Sequence, residues 1–162
     1  KPISFEIFAD DEKEIINHPK VHPHLKSVIE EAKRLTELDF RVIETIRSKE
    51  RQRKLHDLGE DQTGGTARLY GAAATLLIYV DDIPCFGDLI YFDLVDSIRF
   101  AGQNLGIGMN WGGAISVDGF VDITKYGGLS RDLHTECYFN LIEHEKDYRP
   151  VFQYFQLHSG DS

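Results

Sequence analysis

The sequence predicts an α+β domain, a small antiparallel sheet flanked by helices, and three observations carry that prediction. Apolar residues recur at helical spacing in two long stretches, one from His24 and one from Asp88. Short runs rich in β-branched and apolar residues stand between and after them, as strands do. The two kinds of segment are interspersed, without internal repeats or low-complexity stretches, which suits one layered domain. A chain of 162 residues with 41% hydrophobic content is long enough and apolar enough to bury a core.

Residues 1–20 hold the acidic cluster Asp10, Asp11, Glu12 and Glu14 and read as an N-terminal arm or extension, with a place in the core left equally open. Residues 21–162 are expected to form the domain proper. Leu25, Val28, Ile29, Ala32 and Leu35 give a helix one apolar face, and Pro23 suits its first turn, where an N–H is not needed. Phe40 to Ile46 reads as a strand. Ser48 is a good N-cap for a second helix running to Leu58, with Gly59 as its stop, and Asp61 to Thr66 is a loop.

Ala72 to Tyr79 is an apolar run interrupted by Thr75 and is expected to be the central strand, ended by Asp81 and Asp82. A third helix spans Asp88 to Leu105 and buries Phe92, Val95, Ile98, Ala101 and Leu105, with Gly106 stopping it. Met109 to Trp111 begins another short strand, and Val151 to Leu157 closes the chain as a strand. The stretch from Ser116 to Pro150 has turn signals at Asp118-Gly119 and Gly127-Gly128 but no clear period.

Net charge is −9, with a pI near 5.2. That balance disfavours broad electrostatic attachment to nucleic acid or anionic lipid, which needs clustered Lys and Arg. No apolar run approaches the ~20 residues of a membrane span, and the first residues show no signal-peptide pattern, so a soluble protein is expected. Cys85 and Cys137 lack a partner motif and are expected as free thiols.

Several segments, in order, carry a resemblance. They are Val21-His-Pro-His-Leu-Lys-Ser-Val-Ile, Phe40-Arg-Val-Ile-Glu-Thr-Ile-Arg-Ser-Lys-Glu-Arg-Gln, Asp61-Gln-Thr, Leu69-Tyr-Gly-Ala-Ala and Leu105-Gly-Ile-Gly-Met-Asn-Trp-Gly-Gly. Together they resemble the phage endolysins of the zinc D-alanyl-D-alanine carboxypeptidase and L-alanyl-D-glutamate endopeptidase family. The resemblance implies a peptidoglycan zinc-peptidase-like fold of the Hedgehog/DD-peptidase type. It spans about Val21 to Gly113, echoes weakly at Tyr154-Phe-Gln-Leu, and leaves about 114–150 as an insertion atypical of the family.

In that family a His and an Asp in a Ser-x-His-x-x-Gly-x-Ala-x-Asp pattern, with a second His near the C-terminus, hold zinc. Laid on this sequence, Thr66 takes the Ser position while Gly71 and Ala73 match. The ligands fall on Arg68, Thr75 and Tyr154. The resemblance therefore implies a metal site with all its ligands replaced and no zinc bound.

The expected function is a catalytically inactive peptidoglycan-peptidase-like domain with a structural or binding role, as a tail or baseplate component of a phage virion. Protein partners in a larger assembly are expected, a homo-oligomer among them, at the virion or the host cell-wall surface. Two alternatives stand beside it. One is a peptidoglycan-binding module using the old cleft, with Arg47, Gln52, Tyr70 and Trp111 as its floor. In relatives the residue equivalent to Arg47 lies by the cleft and can orient a carboxylate; tying the strand-to-helix corner is the competing role. The other is an active cell-wall peptidase with a relocated site at His134, Glu136 and His144. On a strand His134 and Glu136 share a face, but polar loop residues beside a small buried thiol are the simpler reading. Arg68 is paired by expectation with Glu60 or Asp61, a structural replacement for the metal.

Overall fold

The helical period beginning at His24 becomes α2, Pro23–Leu35, in the computed structural model, which describes residues 7–46, 53, 65–147 and 149–159. Its first turn is capped by His22, whose Nδ1 accepts from the His24 N–H at 3.0 Å. Leu25, Val28, Ile29 and Ala32 are buried, and they pack against the 18-residue α4, Asp88–Leu105. That helix buries Tyr91, Phe92, Leu94, Val95, Ile98 and Ala101 and ends at Gly106 in the left-handed region, φ 69°. Leu35 and Leu105 depart from the expected buried stripes. Each is the last residue of its helix and lies exposed beyond the packed face.

Both helices cover one face of a five-stranded antiparallel sheet. Its path is β1 (Asp39–Glu44), β2 (Ala73–Val80), β7 (Tyr154–Leu157), β4 (Met109–Trp111), with β3 (Ile83–Cys85) also on β2. The central strand is thus β2, as its apolar run predicts. Alternation sorts the faces: Phe40, Val42, Ala74, Leu76, Ile78, Phe155 and Leu157 point into the helical core. β7 is shorter than Val151 to Leu157, because the Tyr154 N–H bonds back to the Val151 carbonyl in a turn.

Residues 7–20 belong to the core. α1, Asp10–Ile16, buries Glu12 and Ile16 and lies along β1. The Glu12 carboxylate accepts from the Ala9 N–H at 2.9 Å and from the Val42 N–H at 2.7 Å, and meets the Lys33 ammonium at 3.1 Å. Lys33 in turn donates to the Phe40 carbonyl at 2.5 Å. Burial holds the Lys33 pKa below the usual lysine range, and the Glu12 carboxylate opposes that shift.

The segment without a clear period, 116–150, holds a helix. After the hairpin β5 (Ile115–Ser116) and β6 (Gly119–Phe120) and a 3₁₀ turn at Ile123–Lys125 comes α5, Ser130–Glu143. The 3₁₀ turn is N-capped by Asp122, whose side chain accepts from the Thr124 N–H. Short α3, Gly65–Leu69, precedes β2, so the predicted loop ends before Gly65. The second predicted helix lies outside the described residues apart from Arg53. Both cysteines are free thiols, as expected.

Candidate functional site

A single extra residue in β1 creates the site. Val42 pairs with Leu76, but Glu44 pairs with Thr75, because a bulge between them shifts the register. In a regular strand Glu44 would share the core-facing side of Val42; the bulge turns it to the opposite face. Thr75 pairs in turn with Tyr154 on β7. Glu44, Thr75 and Tyr154 therefore form one row across three strands, on the face turned away from α2 and α4.

Arg68 closes over this row. It lies in the last turn of α3, after which Gly71, at φ 71°, reverses the chain into β2. The Ala72 N–H bonds the Ala67 carbonyl at 2.9 Å, and the Gly71 carbonyl accepts from the His22 N–H at 2.9 Å, which fixes the reversal. A Cβ at Gly71 would overlap the Lys20 carbonyl, so both the sign of φ and the space require glycine.

The Arg68 guanidinium donates to Thr75 Oγ1 at 2.5 Å and meets Glu44 Oε1 at 3.2 Å. It lies 5.0 Å from the centre of the Tyr154 ring. Arg68 is only 5% exposed and Tyr154 1%, so a fixed cation sits inside the sheet face with a carboxylate, a hydroxyl and an aromatic face around it. The three positions that the resemblance gives to metal ligands thus come together, and Glu44 joins them. Glu60 and Asp61, the partners expected for Arg68, lie outside the described residues.

The polar row continues into a second one. The Tyr154 hydroxyl donates to Gln156 Oε1. Gln156 pairs with Ala73 and with Asn110, and Asn110 Oδ1 bonds His158 Nδ1 at 2.8 Å. Arg68, Tyr154, Gln156 and Asn110 are all buried, which makes this face a hydrogen-bonded network.

Other expected site residues separate. Trp111 is fully buried in the helical core, its Nε1 donating to the Phe152 carbonyl at 2.9 Å, so it walls no cleft. Its side chain follows Phe155, its partner in register, to the core face. Tyr70 is 74% exposed just after α3. Arg47 and Gln52 lie outside the described residues.

His134 and Glu136 sit on a helix, not a strand, and at that spacing they do not share a face. His134 Nδ1 meets the Gly113 carbonyl at 2.7 Å, and its ring packs on Phe152 at 4.9 Å. Glu136 is hydrogen-bonded to Tyr126, whose phenol is pushed up by desolvation and by that carboxylate. His144 caps the end of α5 with Nδ1 at 2.8 Å from the Asn140 carbonyl. The three have separate partners, and no cluster of three or more His, Cys, Asp or Glu suited to a metal occurs among the described residues.

Glu44 is the site residue that sequence reasoning missed. An acid at the end of an alternating strand looks like an exposed terminus, and only the bulge turns it toward Arg68. The two glycines after Trp111 are explained by packing: a Cβ at Gly112 would overlap the Val151 carbonyl, and one at Gly113 would enter the indole ring.

Among solved structures, the chain resembles the Serratia marcescens L-Ala D-Glu endopeptidase ChiX, with a TM-score of 0.65 and 24% identity over 93% of this chain and 89% of that one. That likeness establishes the shared fold. No curated protein matches the sequence. The family model for phage L-alanyl-D-glutamate peptidase matches residues 4–134, most of the chain, and reaches well into the segment set apart as 114–150. The chain belongs to the phage L-alanyl-D-glutamate peptidase family.

Proposed function

We propose that this chain is a non-catalytic member of its peptidoglycan-peptidase family, kept for a structural or binding role in a phage particle. One observation carries the reading: the buried Arg68 guanidinium, paired with Glu44, lies over Thr75 and Tyr154 at the positions that the family resemblance assigns to zinc ligands.

These side chains do not fit zinc. A catalytic zinc takes about three protein ligands with available lone pairs, usually imidazole or carboxylate. A guanidinium has no lone pair to offer, stays charged in a protein and repels a cation. Thr75 brings a neutral hydroxyl. The Tyr154 phenol is buried against the guanidinium and donates to Gln156. Glu44 is a good ligand type, but its charge is engaged by Arg68. The family also places an acid shortly before its last ligand, and here the nearest is Asp147, which is exposed at the surface. No hydrolytic step follows from this donor set, and the guanidinium–carboxylate pair supplies the cross-strand tie that a metal would otherwise make.

The test is elemental analysis of the purified protein, with lysis of cell walls assayed on the same sample. The expected result is zinc far below one per chain and no lysis. Zinc near one per chain together with cleavage of stem peptides overturns the proposal. A second arm restores the family's donors in the triple variant Arg68→His, Thr75→Asp, Tyr154→His, which is expected to gain zinc affinity that the natural sequence lacks.

A further inference from the structure

A second cleft, of about 420 Å³, shares no residue with the Arg68 row. It is lined by Phe86, Asp88, His134, Tyr138, Phe152 and Gln153, among others, and draws on the end of β3, the start of α4, the middle of α5 and the turn before β7. Its walls belong to the helical side of the sheet: His134 and Phe152 pack on Phe92 and Trp111 of that core, whereas Tyr154 faces Arg68. The volume falls in the roughly 300–1,000 Å³ range of small-molecule sites.

We propose that this cleft binds a neutral saccharide, one or two pyranose rings of a glycan, stacked on Tyr138 and Phe86 and hydrogen-bonded by Asp88, Gln153 and His134. The proposal deepens the binding role suggested above by giving it a ligand and a place, and does not depend on the state of the Arg68 site.

The lining decides the ligand class. Phe86 is 65% exposed and Tyr138 42% exposed, so both rings that line the cleft have surface free to meet a ligand. The negative face of an aromatic ring attracts the C–H face of a sugar. The Tyr138 ring stacks on that of His134, 13° from parallel, which fixes its orientation. Among the described lining residues there is no Lys or Arg, and Asp88 adds a negative charge, which disfavours an anionic ligand.

The polar groups separate a sugar from an amine. Asp88 accepts hydrogen bonds, the Tyr138 hydroxyl both donates and accepts, the Gln153 amide keeps capacity beyond its bond to Tyr91, and His134 contributes a ring nitrogen. The carbonyl of Gly113 accepts only, so His134 Nδ1 carries the proton and the other ring nitrogen is left for a second bond. Sugar hydroxyls also donate and accept, and match this set. An ammonium only donates, and would use Asp88 while making no use of the Tyr138 donor.

The protein carries its own reporter. Its single tryptophan, Trp111, touches both His134 and Phe152, with ring centres 5.9 and 5.1 Å away. Titration of the intact protein with triacetylchitotriose, a neutral amino-sugar oligomer, should change that fluorescence saturably, and calorimetry should give the same affinity. Tyr138→Ala and Phe86→Ala should each weaken binding about tenfold, the loss of one aromatic contact. Asp88→Asn should weaken it severalfold, and circular dichroism should show all three variants folded, since each side chain is largely at the surface.

Absence of saccharide binding overturns the proposal, as does binding that none of the three substitutions alters. Saturable binding of cadaverine in place of the sugar also overturns it and makes the cleft a cation site. The zinc and lysis measurements on the same preparation read the other face of the sheet, so either reading can fail while the other stands.

Discussion

At the scale of single residues, the Arg68–Glu44 pair is the feature with the largest expected effect. A buried guanidinium that loses the carboxylate 3.2 Å away loses that share of its charge compensation. Glu44→Gln should therefore destabilise the fold by about 1–3 kcal/mol, measured by denaturant unfolding. Replacing both partners with apolar residues of similar size, Arg68→Met with Glu44→Leu, should cost less than Glu44→Gln alone, because the guanidinium then leaves together with its carboxylate. Equal losses in the single and double variants would show that the pair does not act as a unit.

The thiols give a second residue-scale outcome. Burial, and then the neighbouring Glu136 carboxylate, push Cys137 up to about 11. Between the ordinary thiol range and that value the folded protein keeps a proton that the unfolded chain has lost. The native state is then undisturbed below the ordinary range, and stability falls as pH rises toward about 11. Thermal melts from about pH 8 upward should show this loss in the natural protein and less of it in Cys137→Ala. At neutral pH a thiol reagent should modify the half-buried Cys85 much faster than Cys137.

At the scale of elements, glycines set the path into the site. Gly71→Ala meets both a left-handed φ and the Lys20 carbonyl, so a loss of about 2–4 kcal/mol is expected in denaturant unfolding. Gly106, also left-handed but with open space around it, should lose only about 1 kcal/mol on the same change.

Some elements were legible in the sequence and others were not, for physical reasons. Helix α4 stands where its period and Gly106 place it, because one face is apolar and the other polar. Strand β2 was legible because it is buried on both faces and reads as one apolar run. Helix α5 was not: Leu133, Cys137 and Leu141 face the core while Leu129, Tyr138, Phe139 and Ile142 are exposed, so its apolar residues give no period. The acidic cluster at 10–12 concealed α1, although acids in a first turn suit the helix dipole. The convergence of Arg68, Thr75 and Tyr154 was visible through the family pattern, but the bulge that adds Glu44 was not, since one extra residue in a strand leaves no mark in composition.

At the scale of the whole molecule, the network on one sheet face and the aromatic cleft on the other leave the two sides of the domain with different chemistry. Among the described residues no helix is long and apolar enough to cross a membrane. The side of β1 that faces α1 matters for the domain as a whole. There the Glu12 carboxylate takes the Val42 N–H and the Lys33 ammonium takes the Phe40 carbonyl, two of the main-chain groups that a neighbouring strand would otherwise bond. An ion pair thus stands in for a strand and denies the sheet a further one. Glu12→Ala removes that plug, and beyond a loss of about 3 kcal/mol it should leave a sheet edge open to other molecules. Light scattering of the variant during mild heating should show association at temperatures where the natural protein stays dispersed, which would make one buried side chain a guard against self-association.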